Sequence, residues 1–126
     1  MDNFDTIHCR RVVATAAALD GATWPSGALI MRIAPDDVLV IGDGDIAIDD
    51  VHAIVCDEAG FSGMWLDYEA FAPFAESHIH WSLPTGRPVL AQGLLAQVPV
   101  KLWLGSDSVL LLVATVSKHE LTKRLS

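Results

Sequence analysis

A chain of 126 residues that is 52% apolar and carries a formal charge of −8 has material for one real hydrophobic core. Between Ile33 and Gly86 it holds eleven carboxylates and neither Lys nor Arg. That balance argues against nucleic acid and against an anionic membrane surface, both of which need cations to meet phosphates. No apolar run reaches the roughly 18 residues of a membrane-spanning helix, and Met1-Asp-Asn-Phe-Asp5 lacks the basic start of a secretory signal. A cytoplasmic protein is the expectation. Apolar content this high, without a membrane segment, points to burial against another chain or to a densely filled core.

In chain order, residues 1–27 read as an N-terminal arm of uncertain order. Arg11–Leu19 fits a short helix or a strand-like arm, and Gly21, Pro25 and Gly27 then interrupt regular structure. Residues 28–126 read as one α+β domain. Ala28–Ile33 and Val38–Ile41 are strands around the turn Ala34-Pro-Asp-Asp37, hence a hairpin. Val51–Val55 is a further strand, Asp57-Glu-Ala-Gly60 a turn, and Phe61–Leu66 another strand. Tyr68–Ser77 is a helix candidate, because Phe71, Phe74 and Ala75 recur at helical spacing; Pro73 should delay or kink it. Ile79–Leu83 is short and extended. Three strands follow, at Val89–Ala96, Val98–Leu104 and Val109–Ala114, with turns near Gln97 and at Gly105–Ser108. Ser117-Lys-His-Glu120 has the spacing of a capping box, opening a helix to Leu125. Two strand-rich halves, each with a helix, point to an α+β sandwich of antiparallel sheet with two short helices.

Candidate chemistry is sparse. His78 and His80 would share a face of a strand and offer a metal two ligands, one short of a zinc site. Gly42-Asp-Gly-Asp45 with Asp49-Asp50 has the composition of a calcium loop without its ligand spacing. Ser62, in Gly60-Phe-Ser-Gly-Met64, is not in a nucleophile elbow. Cys9 and Cys56 form no CxxC pair and are expected reduced; Asp57 and Glu58 beside Cys56 disfavour a reactive thiolate. No glycine pattern cradles a phosphate. Catalytic, cofactor-binding and metal residues are therefore expected to be absent. Trp65, Trp81 and Trp103 are core or interface residues. With Arg87 and Lys101 they make the candidate partner or ligand surface, Lys101 because its alternation with Val100 and Leu102 turns it away from the core.

The segment Leu90-Ala-Gln-Gly-Leu-Leu-Ala-Gln-Val-Pro-Val-Lys-Leu-Trp103, with Leu110–Val113 and Ser117-Lys-His-Glu-Leu121, resembles the gamma subunit of heterotetrameric sarcosine oxidase. Arg32–Gly42 and Ala59–Leu66 are similar to earlier strands of that family, so the likeness spans roughly residues 28–125. The family is similar to the folate-binding module of aminomethyltransferase. The resemblance implies a ferredoxin-like or folate-binding-module-like sandwich. It implies a noncatalytic accessory subunit of a flavin-dependent amine oxidase or dehydrogenase, packed on larger flavoprotein subunits. Flavin, and a folate, would then reside in the partners, and this chain would bind no cofactor. Self-association is left open. The rival reading is a free-standing module for a folate-like or other small molecule.

Overall fold

The structure, a computed structural model, describes residues 4–126; the first three residues of the expected arm lie outside the described residues. The described residues form seven strands and three short helices, an α+β arrangement in which every described strand ladder is antiparallel. Two compact units are distinguished among the described residues: His8–Ala59, and residues 4–7 together with Gly60–Ser126.

In the unit His8–Ala59, β2 (Leu29–Ala34) and β3 (Asp37–Ile41) form the expected hairpin, with Ile30 opposite Val40 and a bulge between Arg32 and Ala34. The other edge of β3 pairs with β1 (Asp5–Val13), Val12 lying opposite Val38. Within residues 1–27, β1 and the helix that follows it are regular elements. Val12, Ala14, Leu19, Val38 and Val40 make a small core, with Trp24, Ile46 and Ile48 packed on it. The segment Arg11–Leu19, expected as a short helix or a strand-like arm, is divided between the end of β1 and a third helix, α1 (Ala16–Asp20), beyond the two counted in the sandwich. This helix is too short for a recognisable apolar period, and it is held by caps instead. The Thr15 hydroxyl accepts from the Ala18 amide at 3.2 Å, and Arg32 reaches Asp20 at 2.9 Å and the Ala16 carbonyl at 3.2 Å.

β4 (Ile54–Asp67) is one strand of 14 residues, where two strands and a turn at Asp57–Gly60 were expected. The segment stays extended because β1 is its hydrogen-bonded neighbour and Glu58 faces Arg11 at 3.7 Å. Cross-strand partners outweigh the local turn preference of Asp and Gly.

In the unit containing Gly60–Ser126, the strand order is β4-β7-β6-β5, with β5 (Val89–Leu95), β6 (Val98–Leu104) and β7 (Ser108–Ala114). Their registers place Ala91 opposite Leu102, Leu102 opposite Leu111, and Leu111 opposite Met64. Side chains alternate across a sheet, so one face collects Met64, Ala91, Leu95, Val98, Val100, Leu102, Leu104, Val109, Leu111 and Val113 as the main core. Helix α2 (Tyr68–His78) closes this face with Phe71 and Phe74, and α3 (Lys118–Leu125) with Leu121 and Leu125. Asp67 caps α2 by accepting from Ala70 at 2.7 Å, so the helix starts five residues before Pro73 rather than after it.

Three local expectations change. Ile79–Leu83 joins no strand; it is the connector after α2. Ser117 makes no capping bond, because a single 3-10 turn at Thr115–Ser117 leads into α3 and leaves Ser117 in a near-helical conformation. Glu120 turns to Arg124 instead, at 2.8 Å. The β5–β6 hairpin closes on Ala96 and Gln97, both at positive φ (50° and 67°), the two-residue turn whose twist suits a hairpin. A Cβ is disfavoured in that region by about 1–2 kcal/mol. Gln97 is exposed. Gln97→Gly should therefore raise unfolding stability by about 1 kcal/mol, read as a higher urea midpoint at unchanged slope.

Candidate functional site

The residues singled out from the sequence fall into two groups, sorted by strand parity. Lys101 and Trp103 lie on β6 between core residues Val100, Leu102 and Leu104, so they face away from the main core. Trp65 lies between Met64 and Leu66 on β4 and faces the same way. Leu110 of β7 stands opposite both Trp65 and Trp103, so the three form one row across three strands. Trp65 is 53% exposed and Leu110 fully buried.

Beside this row is an open depression of about 360 Å³, lined by Phe61, Gln92, Leu94, Pro99, Lys101 and Ala114 among others. Lys101 is anchored in its wall. Its Nζ donates to Gln92 Oε1 at 3.1 Å and lies 5.5 Å from the centre of the Phe61 ring. The arrangement offers a shallow apolar floor with one oriented ammonium, which suits packing or an anionic group rather than a bond-breaking step.

Trp81 and Arg87 are placed elsewhere. Trp81 packs on the core side of β5, directly over Gly93, and its indole Nε1 donates to the Leu94 carbonyl at 2.8 Å. Arg87 donates to the Tyr68 hydroxyl at 3.0 Å and to the carbonyls of Pro84 and Gly86, with its guanidinium 5.7 Å from the Tyr68 ring centre. Tyr68 in turn donates to the Gly105 carbonyl at 2.6 Å. This chain of bonds ties the loop before β5 to the β6–β7 turn. Trp81 is a half-buried support and Arg87 braces an exposed loop, so the five candidates do not share one sheet face.

The candidate chemistries also resolve into structural roles. His78 ends α2 and His80 lies in the connector, so the strand pairing of their imidazoles does not occur. Among the described residues no group of three or more His, Cys, Asp or Glu could hold a metal ion. In the acidic loop the carbonyls of Gly42 and Gly44 accept from Arg10 at 2.7 and 2.6 Å, so a guanidinium occupies the carbonyls a calcium loop would turn to its ion. Ser62 is fully buried and paired with the Thr115 hydroxyl at 2.9 Å. Cys9 is buried and Cys56 exposed. Burial, helped by the charge of Glu58, pushes the Cys9 thiol up to about 11. Arg11, bonded and paired with Asp37, is raised further above its usual range. Asp50 is held below the usual carboxylate range by the amides of His52 and Thr15, at 2.9 and 3.1 Å.

Sequence reasoning missed Phe61 and Leu94 as walls of the depression. Their register with Ala114 and Pro99 is the signal that places them there, and register follows from pairing rather than from either strand alone.

Set beside known proteins, the chain matches in fold. A chain of the heterotetrameric sarcosine oxidase from Corynebacterium sp. U-96, solved in complex with pyrrole 2-carboxylate, is similar with a TM-score of 0.69. The match covers 97% of this chain and 79% of that one, at 19% sequence identity. No family model matches, and no curated protein does. Among the described residues no helix is long and apolar enough to cross a membrane.

Two outcomes follow from this geometry. A Cβ built on Gly93 meets the Trp81 ring, with Nε1 at 2.9 Å and ring carbons closer. Gly93→Ala should cost about 1–3 kcal/mol, and much less in a Trp81→Ala background, which a double-mutant cycle of urea unfolding measures. For the thiols, Cys56 should react with a disulfide reagent at once in the native protein and Cys9 only on unfolding. The raised thiol pKa of folded Cys9 gives stability that is complete below its ordinary value of 9.0 and lost as pH rises toward about 11. Cys9→Ser should flatten that alkaline loss, seen in melting temperature against pH.

Proposed function

We propose that this chain is a noncatalytic accessory subunit of a multi-subunit flavin-dependent amine oxidase or dehydrogenase, akin to the gamma subunit of heterotetrameric sarcosine oxidase. The observation that carries this reading is the fold likeness to a chain of such an oxidase over 97% of the present chain. The strand pair Leu90–Trp103, whose sequence resembles that family, is the β5–β6 hairpin at the base of the main core. In this reading the sheet is of the folate-binding-module kind, and it serves as a packing surface. Trp65, Lys101 and Trp103, with the depression beside them, face a larger subunit. Trp81 braces β5 from the core side, and Arg87 fixes the exposed loop that leads into it. Flavin chemistry, and any folate, belongs to the partner subunits, and this chain contributes neither a ligand nor a proton.

The open depression favours one second reading, a small-molecule module that takes an anionic, partly apolar ligand with Lys101. One purification separates the two. The tagged chain recovered from its native cells should bring larger subunits and a flavin absorbance spectrum. A colourless, lone 13.6 kDa chain would overturn the subunit reading, and quenching of tryptophan fluorescence by a folate-like ligand would then favour the module.

A further inference from the structure

The chain has two Asp-Gly steps, Asp20-Gly21 and Asp43-Gly44, and both lie in the unit His8–Ala59. An aspartyl carboxyl followed by glycine is open to one reaction within the chain. The next amide nitrogen is close enough to attack the carboxyl carbon, and a residue without Cβ does not shield it. The reaction is held back where the carboxyl and the amide are already engaged, and in this the two steps differ.

At Asp20-Gly21 both groups are taken. Asp20 Oδ1 accepts from Arg32 at 2.9 Å, and the Gly21 amide donates to the Ala17 carbonyl at 3.2 Å as the closing bond of α1. At Asp43-Gly44, in the exposed loop after β3, the flanks are held and the middle is not. Arg10 donates to the Gly42 carbonyl at 2.7 Å and to the Gly44 carbonyl at 2.6 Å. These belong to the peptide units on either side of the one that joins Asp43 to Gly44. Among the described residues neither that middle amide nor the Asp43 carboxylate has a hydrogen-bond partner. The glycine is itself required there. Gly44 has φ +117°, and a Cβ on it would stand 2.9 Å from Pro25 Cβ.

We propose that Asp43 is a site of backbone modification, converted through a cyclic imide to isoaspartate. The Gly44 nitrogen attacks Cγ of the protonated Asp43 carboxyl. A C–N bond forms, and the amide proton leaves with the carboxyl hydroxyl as water. Solvent water then opens the five-membered ring. Cleavage between Cγ and nitrogen restores aspartate. Cleavage at the other carbonyl routes the main chain through Cβ and Cγ and leaves a free α-carboxylate. One water is lost and one regained, so nothing is oxidised or reduced. The isoaspartate places one more main-chain atom between the two carbonyls that Arg10 spans, so the guanidinium no longer holds both. Modification thus releases the loop after β3. The inference is independent of the subunit reading.

The test incubates the full chain in neutral buffer and maps isoaspartate by digestion and fragmentation mass spectrometry. It should accumulate at position 43 about tenfold or more faster than at position 20, where a helix end and an ion pair must open first. Asp43→Asn reaches the same imide with ammonia as the leaving group, and should convert faster than the wild type. Asp43→Glu needs a six-membered imide and should show no conversion at this position. Both variants alter an exposed side chain, where substitution leaves stability nearly unchanged. Amide hydrogen exchange at residues 42–46 of the wild type should rise in proportion to its isoaspartate content. No isoaspartate at position 43, or equal rates at 43 and 20, overturns the modification site. Unchanged exchange at 42–46 in the modified protein overturns the release of the Arg10 clamp.

Discussion

The pairing of β7 is the constraint on which the unit containing Gly60–Ser126 depends. Val109, Leu110, Leu111, Leu112 and Val113 are all buried to 1% exposure or less. A strand buried on both faces has no tolerance for a slip in register, because each slip exchanges two sets of buried side chains. β7 pairs residue for residue with β4 on one edge and with β6 on the other. Its register therefore decides at once which residues of both neighbours enter the core and which face away. Lys101, Trp103 and Trp65 owe their common face to this. Any function assigned to that face is a consequence of β7's register rather than of a motif.

The free edge of this sheet is managed by side chains. β5 ends the strand order, and an open edge invites pairing with another chain. Here the Trp81 indole takes the Leu94 carbonyl, Arg124 takes the Ala96 carbonyl at 2.9 Å, and the Ala96 amide donates to the His78 carbonyl at 3.1 Å. The connector after α2 and the end of α3 thus cover the last stretch of the edge. Gly93 is the condition for this cover, since only a residue without Cβ lets the Trp81 ring lie flat on the strand. Strand addition at the end of β5 is consequently disfavoured.

How far the sequence could be read follows from which forces were local. The alternation of Val98, Val100, Leu102 and Leu104 is strong enough to give β6 and its faces without a partner in view. The i, i+3, i+4 stripe of α2 did the same for Phe71, Phe74 and Ala75. Where the deciding interaction is distant in sequence, the reading fails. Asp57–Gly60 has turn composition, and only pairing with β1 keeps it in the strand. Ser117 and Glu120 have capping spacing, and the preceding 3-10 turn denies them the geometry. The bracing roles of Trp81 and Arg87 come into view only with their long-range partners, Leu94 and Tyr68. Alternation thus places Lys101 and Trp103 on one face of β6, whereas the places of Trp81 and Arg87 are set by the loops that carry them.

The distribution of charge then separates what a fold likeness leaves together. A shared fold hosts many functions, and what this chain does depends on the surfaces it presents. Several of its charged groups serve its own architecture: Arg10 and Asp50 hold loops, Arg11 joins strands, and Arg32 and Arg124 secure helices. Ser62 and Cys9, the two nucleophiles placed inside, are respectively paired and protonated. Among the described residues, the large apolar side chains left exposed are Val51, Ile54, Val55, Trp65, Leu94 and Val116. Under the proposed subunit reading, these exposed branched and aromatic side chains are the surface on which a larger subunit is met, and the binding energy comes from their burial.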